Sequence, residues 1–412
     1  MANIPNSHHF FLLICALLTQ FNRPSHTSMP KLIRITTIPL ALNTLLKGQM
    51  RYMHEHGFDV IMVSADGKER EEVIKYEGCS HHIIPMTRKI TPFADLRSLW
   101  QLYRFFKKEK PDIVHSHTPK AGLLAMLAAR MAGVKTRVHT IAGLRFMTAN
   151  GMTRKLLVNM EKLTAASATH VWPNSYSLLK YVEDNNLAKK SKLKVIGHGS
   201  SNGIDLQRFS TSSLKPDKLE EVKRQLNYDD KLVYLLSVGR IVKDKGIDEL
   251  LKSFQQLNEQ YPHTRLVLLG SFEDDLDPVS DEAKKILLEH PAIIHINWSD
   301  AVEYYMHLAT MLIHPSYREG FPNVLLQAGA MNCPICCSRI EGNIDIVTHE
   351  ETGLIFQKMN ASDLLEKLQW AVTHPSEMKQ FADQLHKKVQ QYFDRKYVQK
   401  SLREEYGRLL NV

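Results

Sequence analysis

Cysteine is scarce in this 412-residue chain, which contains only five. So few cysteines indicate a protein of a reducing compartment rather than a disulfide-forming one. Cys333, Cys336 and Cys337 lie close together, which could mark a redox motif or half of a zinc site. No second Cys or His pair lies at metal-ligand spacing, so we interpret these residues as small apolar side chains of a buried strand.

The N-terminus lacks an apolar run long enough to span a bilayer. Residues 10–18 are apolar, but the run is too short, and no Lys or Arg precedes it as in a signal peptide. Because Met29 comes directly before the first predicted strand, we expect residues 1–28 to be an N-terminal extension, disordered or the result of a misassigned start. A short membrane anchor or an atypical signal is the alternative.

The chain also has no solenoid-type repeat and no low-complexity tract. From Lys31 onward, short apolar runs alternate with helical patterns, which predicts an α/β fold with parallel sheets. The rhythm repeats in the second half, beyond a turn-rich stretch at residues 197–213. Predicted strands of the first half are residues 32–36, 60–64, 113–116, 137–140, 170–173 and 193–196, with helices at 42–54 and 156–166.

One segment of the second half combines a carboxylate, a turn and a helix start. Glu319 precedes Gly320, which permits a tight turn, and Pro322 fits the first turn of a helix. Asn323 and Gln327 then lie on one helical face. Because N–H groups at a helix start favour anions, the segment suits a polyhydroxylated, anionic ligand such as a nucleotide sugar.

A second segment, residues 237–246, supports the same ligand. It follows an apolar strand and precedes an amphipathic helix, so it lies at a strand's carboxyl end, where open α/β sheets bind ligands. It carries Gly239, Arg240 and Lys245, and an Arg fork with a Lys point charge can clamp a diphosphate. Taken singly, either segment could be an ordinary turn or a solvated loop, but their order within one half favours a site.

Both segments resemble the signature of the retaining GT-B glycosyltransferases of family 4, in particular bacterial enzymes that build capsular and other surface polysaccharides. The resemblance runs from about Lys31 to the C-terminus. It implies two Rossmann-like domains whose parallel sheets face each other across a ligand cleft. Residues 29–205 would form the acceptor domain and residues 206–385 the nucleotide-sugar domain. Residues 386–412 would form a helix that crosses back to the first domain.

The resemblance also implies roles for individual residues. Arg240 and Lys245 would hold the donor diphosphate and Glu319 the hydroxyls of the donor sugar, and these three are the predicted catalytic residues. No metal and no cofactor is expected, because the family binds its donor without them, so we interpret the acidic loop at residues 275–277 as surface. The predicted substrate-binding residues are Gly239, Gly320, Phe321, Pro322, Asn323, Gln327, His139, Gly143 and His117.

Some of these positions depart from the family pattern or allow another interpretation. Gln327 replaces a second Glu that grips the ribose, although an amide can still bond hydroxyls. Ala142 stands where many relatives place a His before Gly143, and His139 is a candidate substitute or else a core histidine. His117 ends a strand, where it could face the cleft and an acceptor or be a hydrogen-bonded strand terminus.

The net charge of +9 raises the question of anionic partners. No nucleic-acid-binding module is present, so we exclude nucleic acid. A helix over residues 96–108 is basic and amphipathic, which fits an anionic membrane surface or an ordinary helix covering the sheet. Leu96, Leu99, Tyr103 and Phe106 are predicted to form its apolar face, and Arg97, Arg104 and Lys108 its basic one.

The sequence therefore predicts an enzyme, a hexosyltransferase that acts with retention and without a metal. It would move a sugar from a nucleoside diphosphate sugar, expected to be a UDP-sugar, to a hydroxyl of a glycan or polyprenyl-diphosphate-linked acceptor. The setting would be capsule, exopolysaccharide or O-antigen biosynthesis, in the cytoplasm or peripherally on the inner face of the plasma membrane. The alternatives are a catalytically degenerate nucleotide-sugar-binding protein and a GT-B sugar-nucleotide epimerase.

Overall fold

The computed structural model describes residues 29–273 and 277–411, which contain two parallel sheets. The strands of the first sheet are β1 (Lys31–Ile35), β2 (Asp59–Ser64), β3 (Ser80–Ile83), β4 (Ile113–Ser116), β5 (Thr136–Ile141) and β6 (His170–Pro173). Their order is β3-β2-β1-β4-β5-β6, which reverses between β1 and β4. Open α/β sheets bind ligands where the order reverses. We call residues 36–39 after β1 and 117–120 after β4 the first switch point.

The second sheet repeats this plan. Its strands are β7 (Val233–Val238), β8 (Thr264–Leu269), β9 (Ile293–Ile296), β10 (Met311–His314), β11 (Ile335–Ser338) and β12 (Leu354–Phe356). They are ordered β12-β11-β10-β7-β8-β9, and every pairing is parallel. The order reverses between β10 and β7. We call residues 239–246 after β7 and 315–322 after β10 the second switch point.

Helices connect the strands and cover both sheets. Those of the first half are α1 (Pro39–Leu45), α2 (Gln49–Glu55), α3 (Arg70–Glu77), α4 (Pro92–Glu109), α5 (Pro119–Ala132), α6 (Gly151–Ser167) and α7 (Tyr176–Asp184). Those of the second half are α8 (Pro216–Leu226), α9 (Ile247–Gln260), α10 (Asp281–Glu289), α11 (Val302–Leu308), α12 (Asn323–Ala330), α13 (Asn343–Ile346), α14 (Ala361–Thr373), α15 (Pro375–Tyr392) and α16 (Arg395–Leu410). Short 3₁₀ turns lie at Arg145–Met147, Lys190–Lys192, Thr211–Ser213 and Lys243–Lys245. No helix in the described ranges is long and apolar enough to cross a membrane.

Strands covered on both faces are apolar at successive positions, which explains the continuous apolar runs of the sequence. Leu235 packs into the core beneath α9 and α14, whereas its neighbour Leu236 packs into the core beneath α12 and α15. Cys336 and Cys337 divide in the same way between the two faces of β11. Burial raises the pKa of Cys333 to about 12. The interpretation of the cysteine cluster as buried apolar residues is confirmed.

The α/β class and the parallel sheets are confirmed, with three local corrections. Residues 193–196 form no strand beyond a single bridge between Leu193 and Val171. The edge strand β3, whose sequence reads as a polar loop, was missed. The predicted helix at 42–54 is two helices, because Gly48 takes a left-handed φ of 83° between them.

The last helix crosses back to the first sheet. α15 stays on the second domain, where Leu385 and Val389 pack against α12. The chain crosses between Tyr392 and Arg395, and the Arg395 N–H donates to the Ile204 carbonyl at 2.9 Å. Tyr406 of α16 is then fully buried in the core beneath β1. The domain boundaries at residues 205 and 385 stay predictions, and residues 1–28 lie outside the described part of the chain.

Candidate active site

The two motif segments lie side by side at the second switch point. Gly246 has a φ of 68°, and a Cβ there would lie 2.1 Å from the carbonyl oxygen of Pro315. Only glycine fits this conformation and this approach. The Tyr317 N–H donates to the Asp244 carbonyl at 2.9 Å. Backbone contact therefore fixes the loop after β7 against the loop after β10.

Lys245 and Glu319 form an ion pair between these loops. Their side chains are 23% and 18% exposed. Nε2 of the buried His314 lies 3.4 Å from the same carboxylate oxygen, without the alignment of a full hydrogen bond. Burial alone would raise the pKa of Glu319, but the Lys245 ammonium and His314 outweigh it and hold the pKa well below its usual range. The carboxylate is therefore ionised at neutral pH.

Three neighbouring contacts, which the sequence analysis missed, hold this pair in place. Arg318 donates from Nη2 and Nε to Asp244 Oδ2, at 2.6 and 2.9 Å. The Tyr317 hydroxyl donates to Glu249 at 2.6 Å. Asp277 accepts the Asp244 N–H at 2.7 Å, so this acidic residue supports the site instead of being mere surface. Residues 275 and 276 of the same acidic loop lie outside the described residues.

Arg240 lies at the open end of the site. Gly239 has a φ of 150°, and a Cβ on the facing Gly270 would lie 1.7 Å from the Gly239 carbonyl oxygen. The Arg240 side chain is 48% exposed and forms an ion pair with Glu273. Within the described residues, Arg240 pairs with Glu273 and not with Glu319, so the structure pairs two of the three predicted catalytic residues and leaves Arg240 outside that pair.

Gly320 is required for a reason other than the predicted one. Its φ lies outside the left-handed region, so the turn itself does not demand glycine. A Cβ at Gly320 would instead lie 2.2 Å from the Ala142 carbonyl oxygen and 2.7 Å from the Gly143 nitrogen. Both residues follow β5 of the first domain, and Gly342 also abuts the Gly320 carbonyl. The two domains touch at the residue beside Glu319.

The rest of the Glu-Gly-Phe-Pro segment begins α12. Phe321 is buried against Gly199, and its ring packs at a tilt against Phe393 with centroids 5.3 Å apart, so its side chain serves the domain junction. Pro322 is the residue before the helix and not part of its first turn. Asn323 and Gln327 lie on α12 and are partly exposed, as a ligand contact requires.

The two candidate histidines of the first domain lie within hydrogen-bonded core. His139 bonds Ser116 Oγ at 2.9 Å, and its ring packs against Gly122 of α5. Burial lowers the pKa of His139 to about 4. His117 is buried with Nε2 2.9 Å from Arg34, and burial holds its pKa well below the usual value. These contacts favour the alternatives of a core histidine and a strand terminus.

A second contact between the domains involves Asp345 of α13. Its carboxylate accepts the backbone N–H groups of Tyr176 at 2.8 Å and Ser177 at 3.0 Å, and also the Ser177 hydroxyl. A carboxylate at a helix start satisfies N–H groups that have no partner within the helix. Arg318 Nε also reaches Thr148 Oγ1 at 3.0 Å. Polar contacts thus join the domains on both sides of Gly320.

Comparison with known proteins identifies the family. The profile "Glycosyl transferase 4-like domain" matches residues 42–199, and "Glycosyl transferases group 1" matches residues 218–388. Over 381 residues the chain is 34% identical to the capsular polysaccharide biosynthesis glycosyltransferase CapM of Staphylococcus aureus, covering 92% of this chain and 97% of CapM. The protein belongs to the glycosyltransferase family that these two profiles describe.

Other similarities of this glycosyltransferase agree. It is 25% identical over 319 residues to a UDP-Gal:alpha-D-GlcNAc-diphosphoundecaprenol alpha-1,3-galactosyltransferase of Escherichia coli, covering 76% of this chain and 79% of the relative. The structure of Anabaena HepE in complex with UDP and glucose superposes with a TM-score of 0.75 at 14% identity, covering 92% of this chain and 99% of HepE. The predicted GT-B fold is confirmed. In the described ranges, no group of three or more His, Cys, Asp or Glu residues could hold a metal ion.

Proposed function

We propose that this glycosyltransferase moves a hexose from a UDP-sugar to a hydroxyl of a polyprenyl-diphosphate-linked acceptor, with retention, in the assembly of a bacterial surface polysaccharide. The observation that carries the proposal is the Lys245–Glu319 ion pair at the second switch point, next to the contact of Gly320 with the first domain. The name of the E. coli relative supports the acceptor class, and the name of the S. aureus relative supports the assembly of a surface polysaccharide.

The ion pair suggests an exchange of partners when the donor binds. Lys245 turns from the Glu319 carboxylate to the donor diphosphate, which Arg240 and the first N–H groups of α12 also contact. Glu319 is then free to accept hydrogen bonds from the sugar hydroxyls. Gln327, one helical turn into α12, bonds the ribose. These groups neutralise the leaving diphosphate, so the reaction needs no metal ion.

The chemical step balances without a protein nucleophile. The bond from the acceptor oxygen to the anomeric carbon forms as the bond from that carbon to the donor phosphate oxygen breaks. The acceptor proton passes to this departing oxygen on the same face of the sugar, which retains the configuration. The protein's contribution is orientation of the ring and stabilisation of the charge on the leaving group.

A panel of nucleoside diphosphate sugars with bacterial glycolipid extract tests the proposal. Release of UDP together with a glycosylated lipid is expected, and it persists in EDTA. A degenerate binding protein would bind donor and release no UDP. An epimerase would convert the donor without any acceptor. Either result would overturn the proposal.

The exposed side of α4 carries the predicted basic residues Arg97, Arg104 and Lys108, and it also carries apolar ones. α4 buries Ser98, Leu102, Phe105 and Phe106 against its neighbours, whereas Leu96, predicted to lie on the covered apolar face, is 64% exposed. Phe106 is buried, and Leu99 and Tyr103 are partly buried against the same core, so the predicted apolar face is confirmed except at Leu96.

The exposed apolar residues form a stripe on the outside of α4. Phe93, Leu96 and Trp100 are 92%, 64% and 55% exposed, and Arg97 and Arg104 are exposed beside them. Apolar residues flanked by cations suit the interface of an anionic bilayer. We propose that α4 docks the enzyme peripherally on the cytoplasmic face of the plasma membrane.

Vesicle binding tests this docking. Arg97→Glu with Arg104→Glu is expected to reduce binding to vesicles containing anionic lipid and to reduce transfer to a lipid-linked acceptor. Transfer to a soluble acceptor analogue is expected to be unchanged. Lys387→Glu with Lys400→Glu, on exposed positions of α15 and α16, makes the same change of charge elsewhere. Equal vesicle binding by the two double variants would contradict the docking surface.

A further inference from the structure

A second pocket lies at the first switch point. It has a volume of about 360 Å³ and is lined by the loop after β1 and the start of α5. Thr118 there has a φ of 69°, unusual for a residue other than glycine, and its hydroxyl bonds the N–H and the hydroxyl of Thr37 at 3.1 and 2.8 Å. These bonds tie the two loops together, so the floor of the pocket is held in one shape.

Three cations line this pocket, and one of them is neutralised. Lys120 Nζ lies 2.7 and 2.9 Å from the two carboxylate oxygens of Asp95 and also bonds the Lys89 carbonyl oxygen. The Lys120 bonds fix the loop that carries Arg88. Arg88 and Arg145 are exposed, and neither has an ion pair or a side-chain hydrogen bond with the residues that the structure describes. Two guanidinium groups are therefore free to bind an anion.

Apolar side chains form another part of the lining, which we call the apolar wall. Ile38, Leu40 and Leu45 line it, and Leu40 is 39% exposed. The loop that carries Arg88 continues into Ile90, which is 52% exposed, and then into the exposed apolar stripe of α4. A ligand with an anionic group and an apolar chain matches this combination.

The pocket lies close to the contact between the domains. Arg145 comes two residues after Gly143, and a Cβ on Gly143 would lie 3.5 Å from the Gly320 nitrogen. Two residues of chain span at most about 7 Å. The backbone of Arg145 therefore lies close to Gly320, beside the position where Glu319 would hold the donor sugar.

We propose that this pocket binds the diphosphate of the lipid-linked acceptor, with Arg88 and Arg145 as its ligands and the first isoprenoid units along Leu40. Two arginine forks match two adjacent phosphates. The short path from Arg145 to Gly320 further implies a short acceptor glycan, on the order of one or two sugars between the diphosphate and the reacting hydroxyl. The inference rests on the glycosyltransferase function proposed above.

Paired acceptors test the pocket in detergent solution, without vesicles, so that docking on a membrane has no influence. One acceptor is a sugar on polyprenyl diphosphate, and the other is the same sugar as an alkyl glycoside without phosphate. Arg88→Gln with Arg145→Gln is expected to raise KM for the diphosphate acceptor about ten- to a hundredfold. We expect kcat, KM for the alkyl glycoside and the affinity for UDP to stay near parental.

Two further measurements separate this site from other causes. Arg130→Gln with Lys400→Gln removes the same charge at exposed positions outside the pocket, and KM for both acceptors is expected to be unchanged. Inorganic pyrophosphate, with donor at saturation, is expected to inhibit transfer to the diphosphate acceptor in the parent and less in the Arg88/Arg145 variant. Stronger inhibition by an alkyl diphosphate than by pyrophosphate would show that the apolar wall contributes.

Several outcomes would overturn the pocket. These are an unchanged KM for the diphosphate acceptor, an equal rise for both acceptors, or a loss of UDP affinity, which would assign the arginines to the donor. Each of these three outcomes counts against the pocket only if the parent protein transfers sugar. If the parent transfers to neither acceptor with any donor, the proposed function fails instead.

Discussion

The two switch points occupy equivalent places in the two sheets, yet they differ in how their cations are paired. At the second, Lys245 is paired with Glu319 and Arg240 with Glu273. At the first, Lys120 is paired with Asp95, but Arg88 and Arg145, which line the pocket there, have no partner within the described residues. Lys245 and Glu319 are mostly buried, and a buried charge requires a partner. The exposed arginines are solvated and require none.

This difference indicates two modes of anion binding. A ligand that takes Lys245 as its partner would have to open the ion pair at the second switch point, so binding there would exchange one set of charge contacts for another. An anion bound by Arg88 and Arg145 would add to the contacts already present. On the two proposals, the paired site would distinguish the donor from other anions, and the unpaired arginines would attract the acceptor from a distance.

Breaking the ion pair is expected to have the largest effect. Glu319→Ala should lower the transfer rate about a hundred- to a thousandfold, because we propose that the carboxylate orients the sugar as the bond breaks. UDP affinity should be parental or tighter, since Lys245 loses the competing carboxylate. Steady-state transfer and calorimetric titration with UDP measure both. Near-parental turnover in the folded variant would show that the segment is only a structural turn.

Separating the two domains at Gly320 is the next largest perturbation. In Gly320→Ala the added Cβ would lie 2.2 Å from the Ala142 carbonyl oxygen, so the domains must move apart at the site. A displacement of about 1 Å can cost on the order of a hundredfold in rate. Transfer rate and the radius of gyration from X-ray scattering measure the effect. In the control Gly67→Ala, the nearest atom is a ring carbon of Pro39 at 3.2 Å, and a parental rate is expected.

A pH titration tests whether His139 belongs to the core of the first domain. Its pKa is lowered to about 4 by burial, so below about pH 6.5 the unfolded chain binds a proton that the folded chain does not. Stability is therefore lost as pH falls from about 6.5 to 4, by on the order of 3 kcal/mol for this residue.

His139→Asn is expected to reduce this pH dependence and to leave UDP affinity parental at neutral pH. Denaturant unfolding at several pH values gives the slope. His263→Asn, on an exposed loop, is the matched control and is expected to keep the parental slope. Parental pH dependence together with weakened donor binding would support the prediction that His139 contacts the substrate.

Weakening the Asp345 contact is expected to have the smallest effect. Asp345→Ala leaves the N–H groups of Tyr176 and Ser177 without their partner across the domains, which costs about 1 kcal/mol. We expect kcat/KM to fall about fivefold. Ser280→Ala removes a cap within the second domain, where the side chain accepts the Ala283 N–H, so it should lower stability alone. Equal kcat/KM for the two variants would show that the Asp345 contact is not linked to activity.

Much of the fold was predictable because its signals are local. Apolar runs of strand length occur wherever a strand is covered on both faces, so β1, β4 and β6 were found close to their true bounds. The polar edge strand β3 has no such signal, and it was missed. The apolar face of α4 was predicted except at Leu96, which is 64% exposed. The apolar residues of this helix outnumber those that the protein buries, and only tertiary packing decides which of them are covered.

The predictions about the site also divide into those with a local sequence signal and those that depend on tertiary packing. The sequence alone determined that Arg240, Lys245 and Glu319 lie on loops at the carboxyl ends of strands, because strand, turn and helix start follow one another within a few residues. Only the tertiary structure decided that Lys245 pairs with Glu319 and that Gly320 serves the approach of Ala142. These contacts join residues far apart in the chain, and the geometry of two packed domains, which no local pattern contains, sets them.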